Sequence, residues 1–316
     1  MKILVADALD KAAIQVLKKA GHEVTEEEVS PEELLRTIDS YDALVVRSRT
    51  KVNSEVIEAG KTLKVIGRAG VGVDNIDVNA ATMHEIPVVY APTGSTQSVA
   101  EHTWSMIFAA ARKIPFADRT MKNNQWEKKK IKGVELFGKN LGFIGSGRIG
   151  AAVATIAQAM NMKTISYDPY LPPEVAEKIG IELKTLETVL ISADVLSIHA
   201  ALTPETQGMI GKDQLAMMKP SAILVNCARG GIVDEKALYW ALKNNTLAGA
   251  ALDVYEIEPP KDSPLLELDN IVLSPHVAAS TKDAQRKAGT ITAEQINHVL
   301  RGEIPEFCVN KKGIYS

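Results

Sequence analysis

Short apolar runs alternate with helically spaced segments along most of this chain. Up to Pro92 these runs and segments fall at 3–6, 12–19, 23–24, 31–38, 43–46, 54–59, 65–66, 76–84 and 88–90. Strands of a parallel sheet are covered on both faces and read as unbroken apolar stretches, so this rhythm predicts a parallel sheet flanked by helices. The pattern changes after Pro92. Residues 98–114 read as one long helix with Trp104, Ile107 and Phe108 on a strongly apolar surface, followed by a polar stretch at 122–132. A helix this apolar, set between two α/β segments, is expected to pack between domains or against another subunit rather than to form a ligand site. The alternation then resumes, with strand-length runs at 141–144, 164–167, 195–198, 223–225, 250–254 and 271–273. Helices are expected at 211–218, at 234–244 with Asp234 as N-cap, and at about 280–300, stopping near Gly302 and Pro305. No repeat period or low-complexity tract interrupts the pattern.

The run at 141–144 leads into Gly145-Ser146-Gly147-Arg148-Ile149-Gly150, then into an alanine-rich helical segment and a second strand that ends at Asp168. This is a βαβ unit in which each glycine has its own reason. Gly145 makes the tight turn, Gly147 lets the backbone approach a pyrophosphate, and Gly150 allows the helix to pack closely on the strand. The free N–H groups and positive dipole end of the helix then face the phosphates. Asp168 stands where a carboxylate accepts hydrogen bonds from the adenosine ribose and repels a 2′-phosphate, which points to NAD rather than NADP. A plainer alternative makes Asp168 only the start of a turn with Pro169.

Composition narrows the partners. The chain has 316 residues, long enough for two domains, and carries 36 Lys and Arg against 39 Asp and Glu, a formal charge of −3. No basic excess suggests nucleic acid, and no apolar run is long enough for a membrane span. Lys2 to Ala6 reach Asp7 too soon to form the apolar region of a signal peptide, so a cytoplasmic location is expected. Cys227 and Cys308 show neither metal-ligand spacing nor a disulfide framework, and no HExxH pattern occurs; a metal is not expected.

In open α/β sheets, ligands bind beyond the carboxyl ends of the strands. The late runs are followed by His199, by Asn226-Cys227-Ala228-Arg229, by Asp253 and Glu258, and by His276. With NAD the chemistry is hydride transfer, which needs an acid/base for the substrate oxygen and an anchor for the substrate. Histidine suits the proton step, a carboxylate beside it favours imidazolium, and arginine grips a carboxylate with two parallel hydrogen bonds. A small anionic 2-hydroxy or 2-oxo acid would use all three. Spacing alone does not choose between His199 and His276.

The motifs together resemble the D-isomer-specific 2-hydroxyacid dehydrogenase family, and within it the branch acting on 3-phosphoglycerate. The resemblance runs from Ile3 to about Val309. It rests on Val46-Arg47-Ser48, the stretch from Gly67-Arg68-Ala69-Gly70-Val71-Gly72 to Asn75, the glycine fingerprint, the stretch from Asn226-Cys227-Ala228-Arg229 to Glu235, Ala251-Leu252-Asp253-Val254-Tyr255 with Glu258-Pro259-Pro260, and Ser274-Pro275-His276. It implies two doubly wound parallel-sheet domains: a Rossmann-type NAD domain over 94–283, and a smaller flavodoxin-like substrate domain over 1–93 and 284–316, closing a cleft over the substrate. It implies Arg229 as carboxylate anchor, Glu258 as partner of the histidine and His276 as acid/base, leaving His199 a structural or cleft-lining role. Asp253 would hold the nicotinamide carboxamide, and backbone groups around Arg148, Ile149, Ala200, Cys227, Ala228, Ala278 and Ala279 would line the cofactor cleft. The N–H groups of Val71 and Gly72 would meet the substrate carboxylate. Arg47, by its own place at a strand end, is positioned to meet a phosphate with the help of Ser48, the alternative being a solvated side chain. The run Lys128-Lys129-Lys130 reads as solvated surface unless a partner subunit carries it to an anionic substrate.

Ser95, Val71 and the pair Ala278-Ala279 depart from the family's usual Asn, Thr and glycine-containing pair. The end at Ser316 leaves no room for the C-terminal regulatory domain of longer relatives, so feedback by serine is not expected. The same residues would serve a glyoxylate/hydroxypyruvate reductase or a D-lactate dehydrogenase, and the fold also occurs in NADH-gated corepressors. A homodimer is expected.

Overall fold

The structure, a computed structural model, describes residues 1–315. It divides into two α/β units: Met1–Thr96 together with the segment from Ala279 onward, and Gln97–Ala278. In the first unit β1 (Lys2–Val5), β2 (Glu23–Glu26), β3 (Ala43–Val46), β4 (Val65–Arg68) and β5 (Val88–Tyr90) form a sheet in the order β2-β1-β3-β4-β5, parallel throughout. Alternate residues along each strand feed opposite faces, as the pleat requires. Leu4, Leu44, Val46 and Ile66 join one core cluster, and Ile3, Val5, Val45 and Val65 the other. The helix Lys282–Leu300 covers that second face with Ala293 and Ile296. It lies so close to β4 that a Cβ on Gly67 would stand 2.6 Å from Ile296 Cδ1. A chain segment remote in sequence thereby completes the first core.

The second unit holds β6 (Asn140–Ile144), β7 (Lys163–Tyr167), β8 (Glu182–Leu183), β9 (Val195–Ile198), β10 (Ile223–Asn226), β11 (Gly249–Leu252) and β12 (Ile271–Leu273). Their order is β12-β11-β10-β9-β6-β7-β8, again parallel throughout. Strand order reverses between β6 and β9, which opens a crevice beyond their carboxyl ends. In each unit the sheet is doubly wound, as expected.

Some elements differ from expectation. The long helix ends at Arg112; Lys113 takes a left-handed φ of 54°, and a second helix, Ile114–Lys122, follows. Pro115 explains the break, because its ring would clash with the carbonyl of Ala111 in a continuous helix. The apolar face of Thr96–Arg112 does not stand as a bare interface: Ala100, Trp104, Met106, Ile107 and Ala111 are buried in the second unit's own core, and Trp104 Nε1 donates to the Val153 carbonyl at 3.1 Å. Phe108 stays exposed, as do Ile114, Met121, Trp126 and Phe137 beyond it. The strand expected over 250–254 stops at Leu252, where the Asp253 side chain turns to bond the chain after β12. The helices Pro173–Lys178 and Leu186–Ser192 and the strand β8 carried no readable pattern, being one or two turns, or two residues, long.

Candidate active site

At the carboxyl end of β6 the glycine turn meets the loop after β9. Gly145 has φ +82°, and a Cβ there would lie 3.0 Å from the Ala200 nitrogen; a Cβ on Gly150 would lie 2.9 Å from the Gly145 carbonyl. Around Gly147, by contrast, there is open space. Gly147 is the N-cap of the helix Arg148–Ala159 and gives it no side-chain hydrogen bond, so its leading N–H groups, with those of Arg148 and Ile149, are presented to the crevice. Asp168, after β7, accepts from the Ser146 nitrogen at 2.7 Å and from the nitrogens of Tyr170 and Leu171 at 3.0 and 3.1 Å. It thus ties the turn to the neighbouring strand while opening its own bend. A cavity of about 540 Å³ beside it is lined by Tyr167, Asp168, Pro169, Leu183, Lys184, Thr185 and Thr188. An open backbone cradle, a helix N-terminus and a carboxylate-walled cavity suit the diphosphate and nucleoside portions of a dinucleotide.

β10, β11 and β12 are neighbours in register, with Asn226 opposite Leu252 and Leu252 opposite Leu273. The residues after them therefore leave the same end of the sheet. After β10, Asn226 pins the turn: its Oδ1 accepts from the Ala228 nitrogen at 3.0 Å, and its Nδ2 donates to the Arg229 carbonyl at 2.9 Å. Arg229 is half-buried, with Nη1 donating to the Ala228 carbonyl at 2.7 Å. Beyond β11 and β12, Glu258 and His276 form a pair, Oε2 to Nδ1, at 2.7 Å. Glu258 Oε1 accepts from the Tyr255 nitrogen at 3.2 Å, which holds the carboxylate in place. With Nδ1 directed at Glu258, Nε2 is the nitrogen available to a substrate oxygen.

His276 has φ +52°, a left-handed conformation that costs a non-glycine residue on the order of 1 kcal/mol. Asp253 holds it there. Its carbonyl accepts from the His276 nitrogen at 2.8 Å, and its carboxylate accepts from the Val277 and Ala278 nitrogens, both at 2.9 Å, and from the Ser274 hydroxyl at 2.6 Å. Burial would raise the Asp253 pKa, but the donors, His102 and Ser274 foremost, outweigh it and hold the carboxyl below its usual range. Burial also pushes the Tyr255 phenol up to about 12, and its hydroxyl donates to the Ser274 carbonyl at 2.9 Å. The sequence reading missed His102 and Ser274 as members of this network. Ser274 was visible only as a neighbour of His276, and His102 only as one polar position on an apolar helix.

His199 sits behind the glycine turn. Its Nε2 is 2.8 Å from the Ser197 hydroxyl and its ring centroid 5.9 Å from that of Phe143; burial lowers its pKa to about 4. Cys227 points into the core, and burial, aided by the Asp253 charge, pushes its thiol up to about 12. Lys128, Lys129 and Lys130 form one exposed 3₁₀ turn, with Lys130 paired to Glu127 at 3.1 Å.

The first unit holds the other expected substrate contacts. Arg47 and Ser48 follow β3, and Val71 and Gly72 follow its neighbour β4. Asn75 joins the two loops, its Nδ2 donating to the carbonyls of Arg47 at 2.8 Å and Thr50 at 2.6 Å. Asp7, at the end of β1, accepts from the Arg47 nitrogen at 2.6 Å, from the Thr50 hydroxyl at 2.8 Å and from Arg49 Nε at 2.9 Å. Ser95 is buried in this unit. Among the described residues, no group of three or more His, Cys, Asp or Glu side chains could hold a metal ion, and no helix is long and apolar enough to cross a membrane.

A switch-point glycine turn, an open helix N-terminus and a carboxylate on the next strand define a dinucleotide-binding α/β protein. The model of the D-isomer specific 2-hydroxyacid dehydrogenase NAD binding domain matches residues 104–278, and the chain belongs to that family. NAD is accordingly the cofactor of this domain. The chain is 54% identical over 315 residues to D-3-phosphoglycerate dehydrogenase of Methanocaldococcus jannaschii and 54% identical over 316 residues to that of Archaeoglobus fulgidus. Each alignment covers 99% of this chain and 60% of the relative, so the chain spans about 60% of the length of these curated relatives. Among solved structures, the TT0316 protein of Thermus thermophilus superposes with a TM-score of 0.90 at 34% identity, covering 98% of this chain and 100% of that one.

Proposed function

We propose that the protein oxidises 3-phospho-D-glycerate to 3-phosphohydroxypyruvate, with the second unit as NAD domain and the first as substrate domain. The reading is carried by the Glu258–His276 pair at 2.7 Å, set among loops at one end of a sheet whose switch point fits a dinucleotide. NAD, when bound, would supply the acceptor for the hydride on C2 of the substrate. His276 Nε2 takes the hydroxyl proton, and Glu258 stabilises the imidazolium that results. Arg229 anchors the substrate carboxylate through its planar fork. In the first unit, the N–H groups of Val71 and Gly72 are assigned to the carboxylate, and Arg47 with Ser48 to the phosphate. Gly145, Gly147, Arg148, Ile149 and Gly150 are assigned to the diphosphate and Asp168 to the ribose. Backbone groups of Ala200, Cys227, Ala228, Ala278 and Ala279 are assigned to the cofactor's path, and Asp253 to the carboxamide. The exposed Phe108, Ile114, Met121, Trp126 and Phe137 support a homodimer.

Steady-state rates on phosphorylated and unphosphorylated 2-hydroxy acids, with NAD and NADP, test the assignment. Preference for 3-phosphoglycerate is expected, and equal efficiency on D-lactate would remove it. His276→Ala is expected to bind NADH yet lose turnover; undiminished turnover would reject His276 as the proton carrier.

A further inference from the structure

We propose that His102, acting through Ser274 and Asp253, is a positioning residue for His276. The inference rests on the reading of His276 as proton carrier and adds a residue from the helix Thr96–Arg112 to the machinery. His102 Nε2 lies 3.1 Å from the Ser274 hydroxyl oxygen and 3.4 Å from Asp253 Oδ1. Ser274 has one hydroxyl proton. At 2.6 Å from Asp253 Oδ1 that proton goes to the carboxylate, a far stronger acceptor than the Met106 sulfur at 3.6 Å. The contact between Ser274 and His102 then requires a proton on His102 Nε2, so His102 is the donor.

The consequence reaches His276 through Asp253. That carboxylate has no exposed surface, and its oxygens hold the nitrogens of Val277 and Ala278, the two residues after His276. The donors from His102 and Ser274 fix the carboxylate's orientation, and the carboxylate fixes the left-handed turn from which His276 reaches Glu258. Without the His102 donor, the Ser274 oxygen and Asp253 Oδ1 each lose one contact, so the carboxylate keeps Ser274, Val277 and Ala278 but is held less firmly, which loosens the turn and with it the 2.7 Å bond between His276 and Glu258.

His102→Leu removes the donor and keeps a side chain of similar bulk, whereas His102→Gln restores an N–H near the Nε2 position. The ligand-free chain, labelled with ¹⁵N in its 6 histidines, gives a readout independent of turnover, with the His276 signals assigned by their loss in His276→Asn. In His102→Leu the His276 Nδ1 signal should move from its hydrogen-bonded position towards that of a solvated imidazole. In the same variant kcat should fall about tenfold to a hundredfold, the range expected when a reacting group is displaced by a fraction of an ångström to an ångström. NADH affinity should hold, and His102→Gln should recover both signal and kcat. If His102→Leu does not fold, Ser274→Ala breaks the same connection and should shift the same signal. A folded His102→Leu or Ser274→Ala chain with unchanged His276 signals overturns the proposal, as does His102→Gln behaving like His102→Leu. If the protein turned over no 2-hydroxy acid, the functional reading would fail while the ligand-free spectra still judged the positioning.

Discussion

His199 offers a test of which imidazole does chemistry, because its expected response to pH is set by where it is held. Its Nε2 bonds Ser197, its ring lies against Phe143, and burial takes its pKa from 6.5 down to about 4. The unfolded chain takes up this proton near pH 6.5 and the folded chain only near pH 4. The contribution to stability is therefore complete above about pH 6.5, declines as pH falls and is gone near pH 4. A difference of about 2.5 pH units, at about 1.4 kcal/mol each, sets a ceiling of roughly 3.5 kcal/mol. Part of His199 reaches solvent, which lowers the working figure to about 2 kcal/mol. His199→Gln keeps a group that can bond Ser197 but cannot titrate in this range. Denaturant unfolding is read by tryptophan fluorescence, which reports on the second unit alone because Trp104, Trp126 and Trp240 all lie there. Between about pH 7.5 and about pH 5 the wild type should lose about 1 to 2 kcal/mol more than His199→Gln. Parallel losses would mean that the His199 ring protonates freely in the fold, and would return it to consideration as a proton carrier.

Three further outcomes are expected. Asp168→Ala should weaken NAD binding and narrow the preference for NAD over NADP about tenfold or more, through loss of the ribose acceptor and its charge; an unchanged NAD/NADP ratio would leave Asp168 only its bonds to Ser146, Tyr170 and Leu171. Asp7→Asn puts an amide where the Arg47, Arg49 and Thr50 donors need acceptors, and should raise KM for a phosphorylated substrate about tenfold with kcat nearly unchanged, a loss of one or two buried hydrogen bonds. An unaltered KM would separate this loop from the substrate. Alkylation followed by mass spectrometry should label Cys308 in the native chain and Cys227 only on unfolding, since burial pushes the Cys227 thiol up to about 12; native labelling of Cys227 would contradict its place in the core.

The sheets were legible because their strands are covered twice. Ala43–Val46, Val195–Ile198 and Ile223–Asn226 are buried at every position, so the chain spells them as nearly continuous apolar runs between turn residues, with Ser197 and Asn226 as the polar exceptions. The capping residue Asp234 was legible for a similarly local reason: its side chain accepts from the nitrogens of Lys236 and Ala237, within its own turn. What escaped was either too short to show a period, as with Glu182–Leu183, or decided from a distance. The stop at Leu252 is of the second kind. Val254, just past Asp253, prolongs the apolar run well enough for 250–254 to read as strand, yet Asp253 leaves the strand to bond residues more than twenty positions later.

The site shows the same division more sharply. The polar residues just past each strand included the histidine, the carboxylates and the arginine, because a parallel sheet delivers all of its loops to one end. Position past a strand could not rank His199 above or below His276, since both leave strands of one sheet. Depth separates them: one ring lies behind a turn, largely buried and kept neutral by that burial, while the other is half exposed and paired with a carboxylate. His102 lies outside the strand-end logic altogether, because it enters from a helix beside the sheet. A fully enclosed carboxylate must collect donors from whatever packs around it, and Asp253 collects them from two main-chain nitrogens, a serine and that helix. Strand ends thus name the groups that act, while the residues that hold them emerge from counting the hydrogen bonds each enclosed polar group requires.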